Sequence, residues 1–242
     1  MIRFSVLGFK GGVGKSTISL LLAKKLAETY RVTLVDRDNT NTIGRLYGLN
    51  NGLINALSED KEGNFLARDG NLQVVSMVRF FPRRMPSPEE LAPIYRDILK
   101  DSDVLITDNP PNLDELCEIE YKAYRLATGE AHCNSIFVTT PGVALRLTLK
   151  HMNEVPGLLR EWVPDTRYFR LTALVINMVK GEVEDVPVER KVVIPFHREM
   201  FYSGLQVDSY LPGIEKLVEL TKNTIQLELV TEEERTQLGR KA

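Results

Sequence analysis

Residues 8–17 read Gly8-Phe9-Lys10-Gly11-Gly12-Val13-Gly14-Lys15-Ser16-Thr17. Gly8, Gly14, Lys15 and Ser16 meet the GxxxxGK[ST] spacing of a loop that wraps phosphate. Glycines let backbone N–H groups converge on an anion without a Cβ in the way, and a helix starting there turns its positive end toward the same anion. The spacing assigns phosphate contacts to Gly11, Gly12, Val13, Gly14, Lys15, Ser16 and Thr17. Lys15 is expected to reach the outer phosphates, and the Ser16 hydroxyl to ligate Mg²⁺. Lys10 is a second lysine in the same loop, which the bare spacing does not require.

Three acids follow apolar runs. Asp36 and Asp38 flank Arg37 after Val32-Thr33-Leu34-Val35, and Asp108 closes Val104-Leu105-Ile106-Thr107. In open parallel sheets, ligands bind beyond the carboxyl ends of the strands. Asp108 is therefore the acid expected to hold the Mg²⁺ shell, with Asp36 beside it. The Asp36/Asp38 pair can serve both the metal shell and the attacking water.

The elements that must position these residues alternate. Strands are predicted over 2–7, 32–36, 72–77, 104–108, 135–139, 171–176 and 192–194. Helices are predicted over 17–29, 87–99, 113–128, 144–162 and 214–229. Strands apolar throughout and separated by helices indicate an α/β fold, a doubly wound, mostly parallel sheet with helices on both faces. The 242 residues are 43% hydrophobic and 26% charged, enough for one large domain. A net charge of −2 shows no global basic excess that would demand nucleic acid. Cys117 and Cys133 form no CxxC pair, so neither a zinc site nor a disulfide framework is indicated. No apolar run reaches the roughly 18–20 residues that span a bilayer, and the N-terminus enters a strand directly, so a cytoplasmic protein is expected.

The chain resembles the ParA/MinD family of deviant-Walker-A ATPases. The resemblance rests on Lys10 to Thr17, Asp36-Arg37-Asp38, Thr107-Asp108-Asn109-Pro110-Pro111-Asn112, Val138-Thr139-Thr140-Pro141, Val175-Ile176-Asn177 and Val193-Ile194-Pro195, in family order over residues 1–229. It implies a single P-loop ATPase domain over residues 1–230, with a polar tail over 231–242. It implies ATP and Mg²⁺, and slow hydrolysis to ADP and phosphate. It further implies a homodimer sandwiching ATP, with Lys10 reaching the partner's phosphates as a cationic finger. Asp38 is then the water-positioning acid, Asn177 the reader of the adenine edge, and Pro195 a residue packed near the base.

In such a family the output is DNA partition or cargo positioning by non-specific DNA binding, driven by a small ATPase-stimulating partner and with nucleoid association. The alternatives are a MinD-like regulator of division or polar placement, and an ATPase for metallocluster assembly. Candidate DNA-contacting cations are Arg79, Arg83, Arg84, Arg146, Lys150, Arg160, Arg167 and Arg170. The metallocluster reading would need Cys117 to face its mate across a dimer axis. Thr231 to Ala242 holds one leucine and three acids, which argues against direct membrane attachment.

The chain also departs from the family. Asn39-Thr40-Asn41-Thr42 stands where the family often has Pro-Gln-Gly-Asn. The stretch after Pro111 carries Asp114, Glu115, Glu118 and Glu120 beside Tyr121 and Tyr124. A solvated helix face is the expectation for this cluster, with a partner surface as the other reading.

Overall fold

The computed structural model describes residues 1–59 and 62–239. Among them, strands β1 (Ile2–Leu7), β2 (Val32–Asp36), β3 (Leu66–Asp69), β4 (Leu72–Ser76), β5 (Val104–Asp108), β6 (Cys133–Thr139), β7 (Phe169–Val179) and β8 (Lys191–Pro195) form one sheet in the order β3-β4-β2-β5-β1-β6-β7-β8. All pairings are parallel except β3 with β4. The doubly wound α/β fold expected from the alternation is the fold observed.

Every residue of β1, β2, β4, β5 and β6 is buried, as a sheet covered on both faces requires. One face packs Phe4, Val6, Leu34, Ile106 and Val175 against Leu20 of α1 (Lys15–Ala27) and Leu217 of α9 (Ile214–Gly239). The other packs Leu7, Val35, Leu105, Phe137 and Leu174 against α4 (Pro88–Leu99), α5 (Glu115–Thr128), α6 (Val143–His151) and α7 (Val155–Trp162). Alternation along the strands sorts these residues, and it sorts the polar ones as well.

Three boundaries differ from expectation. The stretch 144–162 is two helices, because Pro156 lies in the first turn of α7, where its missing N–H is tolerated, and not in a helix interior. β3 was not expected; it pairs with β4 through a tight turn at Gly70 (φ 58°), where Gly-Asn is a hairpin signal. The closing helix expected to end at 229 continues as α9 to Gly239, through good helix formers. Residues 240–242 of the expected tail lie outside the described residues. Short helices α2 (Thr42–Leu46), α3 (Leu53–Glu59) and α8 (Arg198–Ser203) complete the chain.

Candidate nucleotide site

The loop between β1 and α1 sits at the carboxyl end of the central strand. Two of its glycines are dictated by space. A Cβ on Gly8 would stand 2.6 Å from the Val138 carbonyl oxygen, and one on Gly14 would stand 2.3 Å from Asn177 Nδ2. Gly14 also holds φ at 96°, which side chains rarely adopt. α1 starts immediately after it with no side-chain cap, which leaves its first-turn N–H groups for an anion.

The two lysines of the loop part company. Lys15 is buried and donates from Nζ to the Lys10 carbonyl at 3.4 Å. Burial lowers its pKa, while Asp108 and Asp38 work in the other direction. The Lys10 side chain is exposed.

Strand register brings the acids together: Asp36 pairs with Asp108 across β2 and β5, and Asp108 with Val6 across β5 and β1. Asp108 accepts from Ser16 Oγ at 2.7 Å and from Ser19 Oγ at 2.8 Å. Both buried carboxyls are pushed above the ordinary range by burial, Asp36 also by its neighbour Asp108. Asp36 does a second job. It accepts from the backbone N–H groups of Asp38 (3.2 Å), Ile43 (2.9 Å) and Gly44 (3.1 Å), pinning the segment that leads into α2. Asp38 is partly exposed, and its Oδ1 accepts from the Thr40 amide at 2.9 Å and the Thr40 hydroxyl at 2.8 Å.

Asn177 and Pro195 lie on one cavity of about 190 Å³, also lined by Thr17, Met178, Phe196 and Phe201. Asn177 Nδ2 donates to the Val13 carbonyl at 3.0 Å, so it ties this cavity to the loop. Phe196 and Phe201 stand 5.2 Å apart, and the Lys180 ammonium lies 4.1 Å from the Phe196 ring centre. An apolar, aromatic cavity next to a phosphate loop suits a planar base.

The donors fit a nucleotide with Mg²⁺. The Ser16 hydroxyl and the Asp108 carboxylate are hard oxygen ligands, and Mg²⁺ takes the rest of its shell from water and phosphate. Among the described residues no group of three or more His, Cys, Asp or Glu is built to hold a metal without such help.

Sequence reasoning missed several of these residues. Ser19 lies three positions after Ser16, on the same helix face, a spacing that announces it. Phe196 and Phe201 carry no comparable short-range signal. The acidic cluster after Pro111 divides: Asp114 and Glu115 are exposed as a solvated face requires, and only its second half departs from that expectation. Glu120, Tyr121 and Tyr124 are buried. Glu120 accepts from Arg3 twice at 2.7 Å, from Tyr95 Oη at 2.6 Å, and from Arg37 Nη1. Burial alone would raise its pKa, yet Arg3 and Arg37 outweigh that and bring it to about 2. This part of α5 is therefore neither a solvated face nor a partner surface. Cys117 is buried as well, its thiol donating to Asn109 Oδ1 at 3.9 Å and pushed by burial up to about 12. A sulfur placed there does not face a mate across a dimer axis.

Four of the eight candidate DNA-contacting cations are held by carboxylates: Arg84 by Glu90, Arg146 by Glu184, Arg167 by Glu130 and Arg170 by Glu228. Arg79 donates to the Asn50 carbonyl. Arg83, Lys150 and Arg160 are exposed with no ion pair among the described residues.

A family model for the CobQ/CobB/MinD/ParA nucleotide binding domain matches residues 4–226, so the chain belongs to that family. It is similar to a putative plasmid partition protein of Borrelia burgdorferi B31 solved with AMPPNP, at 17% identity and a TM-score of 0.63, covering 92% of this chain and 98% of that one. A putative replication protein A of Rhizobium rhizogenes is 29% identical over 142 residues, 46% of this chain and 35% of the relative. An iron-sulfur cluster carrier protein of Rickettsia prowazekii is 34% identical over 121 residues, 44% of this chain and 36% of the relative. The chain thus spans about a third of the length of these curated relatives. Among the described residues no helix is long and apolar enough to cross a membrane.

Proposed function

We propose that this chain is an ATP-dependent dimerising switch. It binds ATP with Mg²⁺, closes as an ATP sandwich with a second copy, hydrolyses ATP slowly, and uses the cycle to position DNA or another cargo. The observation that carries this reading is the division of labour between two lysines of one loop. Lys15 is turned inward beside Asp108, and Lys10 is left exposed at the mouth of the same site. A cation committed to its own phosphates needs no exposure; a cation meant for a partner's phosphates does.

In this reading the loop N–H groups and the start of α1 cradle the phosphates, and Lys15 neutralises their outer charge. Ser16 and Asp108 would hold Mg²⁺, which would supply further neutralisation of phosphate charge. Ser19 fixes the second oxygen of Asp108, leaving that carboxylate one orientation. Asp36 holds the start of α2 in place and stands behind Asp108. Asp38 orients the water, once its carboxylate is freed from Thr40. Asn177, Phe196 and Pro195 take the base.

For DNA, the support is narrower than the sequence suggested. Arg83, Lys150 and Arg160 carry it, since four of the other cations are neutralised within the chain. The test is duplex-DNA binding by Asp38→Ala with Mg-ATP against Mg-ADP, at two salt concentrations. Binding with ATP alone, weakening steeply with salt, supports a phosphate-reading dimer. No binding in either nucleotide state removes DNA and leaves a protein cargo.

A further inference from the structure

Asp38 hangs between two very different neighbours. Side chains alternate along β2, so Leu34 joins the α1 face while Val35 joins the opposite one. Arg37 follows Val35 through the sheet. Its guanidinium is 3% exposed and donates from Nη1 to Glu120 of α5 and to the Cys117 carbonyl at 3.5 Å. Its backbone N–H continues the β2–β5 ladder to the Asp108 carbonyl at 3.0 Å. The residue is therefore fastened at both ends, to the acid of β5 and to a helix on the far side of the sheet.

Residues 39–41 are held less well, before Asp36 takes hold of the chain again at Ile43 and Gly44. Asn41 has a φ of 51° and is fully buried, with neither amide atom hydrogen-bonded. A buried amide without partners costs about 1–3 kcal/mol. Asn39 meets only an exposed loop, its carbonyl accepting from the Phe80 amide at 3.4 Å. One side of Asp38 is anchored, and on the other a buried amide is left unpaired.

Resting on the ATPase reading above, we infer that Arg37 is a positioning residue for hydrolysis. Its buried pair with Glu120 fixes the strand end from which Asp38 projects, and so keeps the water-orienting carboxylate in place. Glu120 does not depend on Arg37 for its own neutralisation, because Arg3 grips both its oxygens and Tyr95 donates to one of them. Arg37 is thus not needed to keep α5 and β1 together. Removing it leaves no orphaned carboxylate, which is the usual reason that breaking a buried pair unfolds a protein.

The experiment compares wild type, Arg37→Met, Arg37→Lys and Asp38→Ala, measuring affinity for a fluorescent ATP analogue, KM and kcat with Mg-ATP, and thermal midpoint. Arg37→Met is expected to bind nucleotide as wild type does, with KM unchanged and kcat lowered about 10²-fold, the usual cost of a misplacement near 1 Å. Arg37→Lys, which keeps a cation beside Glu120, recovers part of the loss. A wild-type kcat in Arg37→Met overturns the inference. So does a parallel fall in kcat and nucleotide affinity, which would make Arg37 a general support of the site. If Arg37→Met fails to fold, Arg37→Gln, neutral and able to hydrogen-bond Glu120, is read by the same criteria. Wild type that does not hydrolyse ATP at all removes the ATPase reading and the inference together; an active wild type matched by Arg37→Met removes the inference alone.

Discussion

Ser16 Oγ donates to Asp108 Oδ2 at 2.7 Å, joining the phosphate loop to the end of β5. This contact places a hydroxyl from the first turn of α1 and a carboxylate from the end of β5, two oxygen ligands suited to Mg²⁺, side by side at the sheet centre. Everything proposed for the site is built around that junction.

Lys15 is the cation nearest to it. Lys15→Ala is expected to weaken ATP binding by about 10- to 10²-fold, since a charge-assisted hydrogen bond contributes roughly 1.5–3 kcal/mol. Titration with a fluorescent ATP analogue checks this. Wild-type affinity would mean that the loop does not hold the nucleotide's phosphates.

Asp38→Ala should leave ATP binding intact and lower hydrolysis by about 10²–10⁴-fold, the range for loss of a positioned acid or base. Single-turnover phosphate release separates the two effects. A wild-type rate would move the water-orienting role to another residue.

Gly14→Ala combines a clash with Asn177 Nδ2 and a φ of 96°. The strained backbone alone costs about 1–3 kcal/mol. The loop should be displaced and nucleotide affinity lost, with a lowered thermal midpoint. Asn177→Ala keeps the loop and removes one wall of the cavity. It should weaken ATP binding while leaving the binding of inorganic triphosphate unchanged; equal losses for both would place Asn177 at the phosphates.

His132 gives a pH dependence. It is 2% exposed, and its Nε2 accepts from the Arg3 amide at 3.2 Å. Burial, aided by the Arg3 charge, lowers its pKa to about 3. The unfolded chain takes up this proton near pH 6.5 and the folded one only near pH 3. Stability from this group is therefore complete above about pH 6.5 and falls as pH drops, by up to about 1.4 kcal/mol per pH unit. Glu120, lowered to about 2, adds acid sensitivity in a lower window, beginning below the ordinary glutamate range. Urea midpoints between about pH 7 and pH 5 isolate the histidine. His132→Gln, which keeps an acceptor and cannot charge, should flatten the slope; an unchanged slope would place the acid sensitivity elsewhere.

The loop, the strand-end acids and the parallel sheet were legible in the sequence because each is a local pattern read along one segment. Gly8 to Thr17 needs no distant partner to be recognised. What escaped depends on residues far apart in the chain. Arg3, Arg37, Tyr95 and Glu120 come from four segments and meet on one face of the sheet, and nothing near Glu120 signals that its charge is buried. In a run of acids and tyrosines, amphipathic spacing alone cannot distinguish a paired buried glutamate from a solvated one. The same holds for Phe196 and Phe201, which line one cavity with Asn177 and Pro195 only when β7 and β8 lie side by side. The α9 extension escaped for another reason: its polar composition was read as a tail, although Glu and Arg are good helix formers.

The central claim is dimerisation on ATP, and its most direct test is the mass of Asp38→Ala in solution by light scattering, with Mg-ATP and with Mg-ADP. The account predicts twice 27.4 kDa with Mg-ATP and 27.4 kDa with Mg-ADP, with the additional Lys10→Ala change restoring 27.4 kDa in ATP. One mass in both nucleotides, with ATP shown to be bound, would contradict it.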